Sequence, residues 1–138
     1  MSRYQRLALA PLTRDELAAG LAELGLAAEW AAPHAQLELE GSLECVGEPV
    51  DVRLPAGTLG AVEDLGFVLA PALALVCGEL DRGLLERRLL TPLAQTVAAA
   101  RARAAAAAAG LAVEEHLEAD GTRRLLLTPR VTPRRGPR

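Results

Sequence analysis

The spacing of apolar positions changes several times along the 138 residues, and each change marks an element. Residues 3–10, RYQRLALA, end in alternation with Leu7 and Leu9 on one face, which predicts a first strand stopped by Pro11. The period then lengthens. Leu17, Leu21 and Leu24 recur at helical spacing after Thr13-Arg14-Asp15-Glu16. That tetrad is a capping box, with Thr13 as N-cap and Glu16 answering it from the third helical position, and Gly25 supplies the stop. Leu26 to Trp30 predicts a short strand or extended connection, and Gln36 to Glu40 alternates leucine with polar residues as a half-buried strand does. Leu43–Val46, Val50–Leu54, Asp64–Leu69 and Ala72–Leu80 predict further short strands, punctuated by Gly, Pro and Ser turns. Asp81 is placed to cap a helix over Gly83–Leu90.

The segment Thr91–Arg130 organises the rest. Thr91 as N-cap and Pro92 at the first helical position open an alanine-rich helix that Gly110 closes. Leu93, Val97, Ala100 and Ala104 would share one face, with Arg101 and Arg103 pointing elsewhere. A hairpin follows. A three-residue loop, Ala119-Asp120-Gly121, with a left-handed Gly121 pairs Val113 with Leu127 and Glu115 with Leu125. A two-residue turn would slip the register and mix the faces. The other face then carries Glu114, His116 and Arg124 toward solvent.

The order β-α, three to five short strands, then α-α-β-β predicts an α+β fold. Its expected form is an antiparallel meander sheet of about six short strands with two to three helices on one face. Residues 1–128 are expected to form one domain, and residues 129–138 a disordered Arg/Pro-rich tail.

Composition narrows the setting. All fifteen basic residues are arginine, and lysine, asparagine and isoleucine are absent. These three types share AT-rich codons, so a GC-rich bacterial genome explains the bias without any phosphate-binding role. Before Pro129, eighteen acids stand against eleven arginines, a balance of −7; Arg130–Arg138 adds four arginines and no acid. An acidic body with a short basic end is unlike a dedicated nucleic-acid binder, and leaves electrostatic contact through the tail as an alternative. No secretory signal opens the chain, and no apolar run is long enough to span a membrane, so a cytoplasmic protein with reduced thiols is expected.

The residues that could carry chemistry are few. His34, His116, Cys45 and Cys77 show no metal-ligand spacing. Ser2 and Ser42, the only serines, lie outside any nucleophile elbow, and Cys77 sits in an apolar run as a small buried hydrophobe would. Neighbouring carboxylates such as Glu114 and Glu115, or Glu63 and Asp64, point to opposite faces of a strand, so no shared-proton dyad is suggested. Gly57-Thr58-Leu59-Gly60 lacks the lysine and the helix of a phosphate loop. The expectation is a non-enzymatic protein without cofactor or metal. A small-ligand or metal site would draw on His34, His116, Cys45 or Asp64.

Several strings resemble a family of plastid, cyanobacterial and bacterial proteins named after hypothetical chloroplast open reading frame thirty-five. They are Met1-Ser2-Arg3-Tyr4, Leu24-Gly25-Leu26, Asp64-Leu65-Gly66-Phe67, Leu80-Asp81, Gly110 to Glu115, and Asp120 to Leu125, spread over most of residues 1–128. Members carry a histidine after the initial Met-Ser and a tyrosine in the long helix; Arg3 and alanine or leucine stand there here. The family is a domain of unknown function. The resemblance implies an accessory or adaptor role, with an AAA+ ATPase as the class of partner. It marks Asp64 and Phe67 as partner contacts, and Arg87, Arg88, Arg101 and Arg103 are the basic positions placed to meet an acidic partner. Self-association is the alternative. Asp64 has a second role open to it, bonding backbone at a strand entry, and the arginines a second role in solubilising helix faces.

Overall fold

The computed structural model describes residues 3–41 and 46–130. Cys45, most of the expected Leu43–Val46 strand and the tail beyond Arg130 lie outside the described residues. The fold is α+β and its main sheet antiparallel. By packing, the chain divides into two compact units, Met1–Ala94 and Gln95–Arg138. The expected antiparallel sheet of about six short strands is found as a five-stranded antiparallel sheet, with two further two-stranded ribbons.

In the first unit, β1 (Tyr4–Ala8) precedes α1 (Arg14–Glu23). Then come β2 (Glu29–Trp30), β3 (Leu37–Glu38), β4 (Pro49–Val50), β5 (Val52–Leu54), β6 (Leu65–Val68) and β7 (Ala74–Gly78). The sheet order is β1-β7-β6-β5-β2. Only β5, β6 and β7 follow one another as a meander. The capping box on α1 forms in full: Glu16 N donates to Thr13 Oγ1 at 3.1 Å, Thr13 N to Glu16 Oε1 at 3.0 Å, and Gly25 takes the left-handed stop.

Register assigns the two faces of the sheet. Leu7, Leu75, Phe67 and Val52 form one cross-strand row, the last three inaccessible to solvent. The helical leucines Leu17, Leu21, Leu85 and Leu89 are equally buried. The opposite row runs Arg6–Val76–Gly66–Arg53–Glu29, and a cluster of Tyr4, Leu39, Val50, Val68 and Val76 packs on that side. The β3–β4 ribbon supplies Val50 to this cluster, and only a glycine admits it. A Cβ on Gly66 would meet Val52 O at 2.5 Å and Val50 Cγ1 at 2.7 Å. The break at Asp51 lets the chain leave the ribbon for the sheet, so that Val50 and Val52, two apart, are both buried in different surroundings.

Two helix expectations are corrected. Asp81 makes no side-chain cap, and Thr91 is not an N-cap, because helical backbone already runs into it. Instead α2 (Arg82–Leu85) passes through a π-helical turn, Glu86–Leu90, into α3 (Thr91–Ala108). Pro92 has no N–H for the carbonyl four residues back, and its ring crowds that carbonyl; a widened turn relieves both. Thr91 fits the wide turn by giving Glu86 O both its N–H and, at 3.0 Å, its hydroxyl. The buried face of α3 also departs from the expected stripe. Leu93 and Val97 are buried as predicted, but Ala100 and Ala104 are exposed, and Thr96, Ala99 and Ala106 are buried in their place. With alanine on nearly every face, apolarity alone does not orient such a helix.

The second unit ends in β8 (Leu111–Leu117) and β9 (Arg123–Pro129). The predicted register holds: Val113 faces Leu127 and Glu115 faces Leu125, with Gly121 at φ 87° in the three-residue loop. Glu118 N closes on Thr122 O at 2.8 Å. Among the described residues this hairpin pairs only with itself, so it does not extend the main sheet.

Candidate functional site

Two buried carboxylates shape the surface of the first unit, and each acts through backbone. Asp81 accepts Val62 N at 2.8 Å on one oxygen and Glu63 N at 2.9 Å on the other. This clamp holds the end of the loop after β5 against the turn that enters α2 (Glu79–Asp81). The loop carries left-handed residues at Gly57, Leu59 and Gly60, and Arg88 secures it again by donating to Leu59 O at 3.0 Å. Leu59, a branched side chain at φ 54°, is strained there. The clamp leaves two large apolar side chains turned outward on the segments it joins, Val62 at 68% and Leu80 at 74% exposure. Arg87 and Arg88 are both exposed on the adjoining helical turn.

Asp64 is the second tie. One oxygen accepts the Tyr4 hydroxyl and Gly41 N, the latter at 3.2 Å; the other accepts Glu40 N at 2.6 Å. These partners lie 23 to 60 residues away in sequence, so Asp64 joins β1 and the segment after β3 to the entry of β6. Beside it opens a cleft of about 410 Å³ lined by the charged residues Glu29, Glu40, Arg53 and Asp64, with alanine and proline walls at Ala27, Ala28, Pro55 and Ala56. Arg53 spans the cleft floor. Its Nε and one terminal nitrogen reach Glu29 Oε2 at 3.2 and 2.6 Å, and the other reaches Glu38 O at 2.7 Å. The hydrogen bond to Glu29 outweighs desolvation of the guanidinium and, with the charges of Glu29, Glu40 and Asp64, holds its pKa above the ordinary value.

No protein-family model, curated protein or solved structure matches this chain. Function therefore rests on the geometry.

The sequence-derived candidates fall in different settings. Phe67 is fully buried in the sheet, and Asp64 is 6% exposed with its oxygens engaged, so neither forms an open contact surface. Their apolar and hydrogen-bonded surroundings account for them. Arg103 is drawn to the hairpin, donating to Glu115 at 3.0 Å, and Arg123 reaches the same carboxylate at 3.3 Å; Arg101 is exposed on α3. His34 holds the left-handed third position of a type II turn, with Ala35 N on Ala32 O at 3.0 Å and Pro33 before it. His116 pairs with Glu114 at 3.1 Å on the hairpin. Among the described residues no three His, Cys, Asp or Glu side chains are grouped to hold a metal, and no helix is long and apolar enough to cross a membrane. Cys77 is inaccessible, and burial, with Asp81 adding to it, pushes its thiol up to about 11.

Arg53 and Val62 went unmarked in the sequence, and Leu80 was marked only as part of the Leu80-Asp81 string, not as an exposed position. A cue existed for Arg53, a charge between two core residues of a short strand, Val52 and Leu54. Val62 and Leu80 carried none, because an isolated aliphatic residue reads equally well as core.

Proposed function

We propose that this chain is a non-enzymatic accessory or adaptor protein that works by binding another protein. The observation that supports it is the Asp81-clamped surface, where Val62 and Leu80 stand exposed on backbone held in place by a buried carboxylate and by Arg88. Apolar anchors on a pre-ordered support lose little entropy on binding, and flanking arginines such as Arg87 and Arg88 suit an interface rim. The partner class we propose, an AAA+ ATPase, rests on the sequence resemblance alone.

The test uses the full chain and V62D/L80D, both positions being exposed enough to accept charge without unfolding. A partner captured from the native host with the tagged wild type is identified, purified and titrated by calorimetry against both proteins. Binding by the wild type that falls at least about tenfold in the double variant is expected for two lost anchors. Equal binding by both, or no stoichiometric partner, removes the proposal. If the partner is an ATPase, its turnover with and without the chain tests the narrower claim.

The cleft supports a second reading, a small-ligand protein. Its volume is in the range of small-molecule sites, and three carboxylates against one guanidinium favour a ligand with a cationic group. Amide shifts at Glu40 and Ala56 on titration with an alkylguanidine test it. Shifts that saturate support the reading, and their absence in favour of shifts around Val62 and Leu80 with the partner returns the weight to protein binding.

A further inference from the structure

The hairpin of the second unit has a bonded edge and an open one on each strand. Gly110 O accepts from Arg130 N, and Thr122 O from Glu118 N, so the even-numbered residues between them hold the bonded pairs of the β8–β9 ladder. Odd-numbered residues therefore aim their N–H and C=O groups away from the partner strand. In β9 these include Leu125 and Leu127, which have no second strand among the described residues. The side chains along this edge are apolar and accessible, Leu126 at 40% and Leu127 at 49%. An open edge of this kind is a template for another strand.

We propose that β9 pairs antiparallel with β9 of a second copy of this chain, joining two hairpins into a four-stranded sheet about a two-fold axis at Leu126. The charge pattern selects both the occupant and the edge. With Leu126 opposite its own counterpart, Leu125 of each copy faces Leu127 of the other, and Arg124 faces Thr128. No charged residue of Arg124–Thr128 then meets a like charge. The open N–H and C=O groups of Leu125 and Leu127 face each other as a bonded pair, twice over. Because the contact is isologous it closes at two copies.

The middle of the other edge fits less well. The same operation on β8, centred on Glu114 or Glu115, sets a carboxylate directly opposite its own copy, which destabilises a cross-strand pair. Charges of this kind are how natural sheets blunt an edge. Pairing β9 of one copy with β8 of the next would be head-to-tail, a contact that repeats from copy to copy and does not close at two. Pro129 ends the usable stretch of β9, since it brings no N–H.

The test is sedimentation velocity on the full chain across a wide concentration range, with L127P, L126K and V113P. Proline at position 127 deletes an open N–H and leaves the β8 ladder its bonded pairs; V113P makes the same change on the β8 edge. The wild type is expected to be a dimer. L127P should weaken it at least about thirtyfold, since one donor is lost from each copy. L126K should weaken it through like charge on the axis, while within the hairpin it faces Glu114, an opposite charge. V113P should leave it unchanged. Far-ultraviolet circular dichroism and melting temperature, matched between L127P and V113P, separate a lost interface from a lost hairpin, and L126K, which alters no backbone donor, decides if either proline variant unfolds. A monomeric wild type, a dimer that L126K leaves intact, or equal weakening by V113P and L127P in folded proteins overturns the proposal.

Discussion

Replacing Asp64 by asparagine tests whether this carboxylate is a structural tie. In the folded chain it receives the Tyr4 hydroxyl, Gly41 N and Glu40 N, while itself only 6% exposed. An asparagine keeps one accepting oxygen. If that oxygen serves Tyr4 and Gly41, the amide nitrogen confronts Glu40 N, donor against donor; the reverse orientation sets it against Gly41 N and forces the Tyr4 hydroxyl to accept instead of donate. One buried donor left unsatisfied costs about 1–3 kcal/mol, and loss of charge assistance in the remaining bonds adds to it, so about 3 kcal/mol is expected in total. At an m-value of about 2 kcal/mol/M, that is a fall of about 1.5 M in the urea midpoint. Tyr4→Phe removes one donor while keeping the ring in its apolar cluster, and should cost on the order of 1 kcal/mol alone. In the Asp64→Asn background it should cost less, with an interaction of about 1 kcal/mol closing the double-mutant cycle. Urea unfolding followed by fluorescence of the single tryptophan, Trp30, measures all four proteins. An Asp64→Asn midpoint within experimental scatter of wild type, or strictly additive single effects, refutes the reasoning.

Three further outcomes follow from the same geometry. Gly66→Ala should destabilise by about 3 kcal/mol or more, because its Cβ meets Val52 O and the fully buried Val50, neither of which can swing aside; calorimetric melting checks it, and a wild-type melting temperature would contradict the packing. In a Cys45→Ser variant, Cys77 should resist a thiol reagent at pH 8 until the protein is unfolded, since it is inaccessible and its pKa is raised to about 11; rapid native-state labelling would show the core is open. Asp120 accepts Thr122 N at 2.9 Å, a bond that holds its carboxyl below the usual aspartate range. A lowered folded-state pKa means the hairpin gains stability above the unfolded value and loses it as pH falls through the lowered one, so the side-chain carbon resonance should titrate below that of a model aspartate. A midpoint at or above the model value would exclude the bond in solution.

The parts of this fold that were legible in sequence are those where a few adjacent residues decide the outcome alone. Thr13 and Glu16 cap each other within one turn, and Gly25 ends α1 whatever lies elsewhere. Ala119-Asp120-Gly121 sets the register of β8 and β9 because a left-handed glycine at the third loop position suits one turn only. Where the answer depends on distant residues, local pattern misleads. Asp81 stands where a helix cap would, yet Val62 and Glu63, nearly twenty positions earlier, take both its oxygens. Thr91-Pro92 has the form of a helix start, but α2 already runs into it, and the helix widens instead of ending. The alanine helix shows the same dependence most plainly. Its stripe could be drawn through Ala100 and Ala104 or through Ala99 and Ala106 with equal hydrophobicity; the structure buries the second pair, and Arg103 meets Glu115 of the hairpin, a partner no local pattern names. Candidate function follows this division. Asp64 and Phe67 stood out in sequence only through the resemblance read from Asp64-Leu65-Gly66-Phe67, and the structure buries both. Val62 and Leu80 are made available by a carboxylate that caps nothing, so their exposure could only be seen once Asp81 was placed in three dimensions.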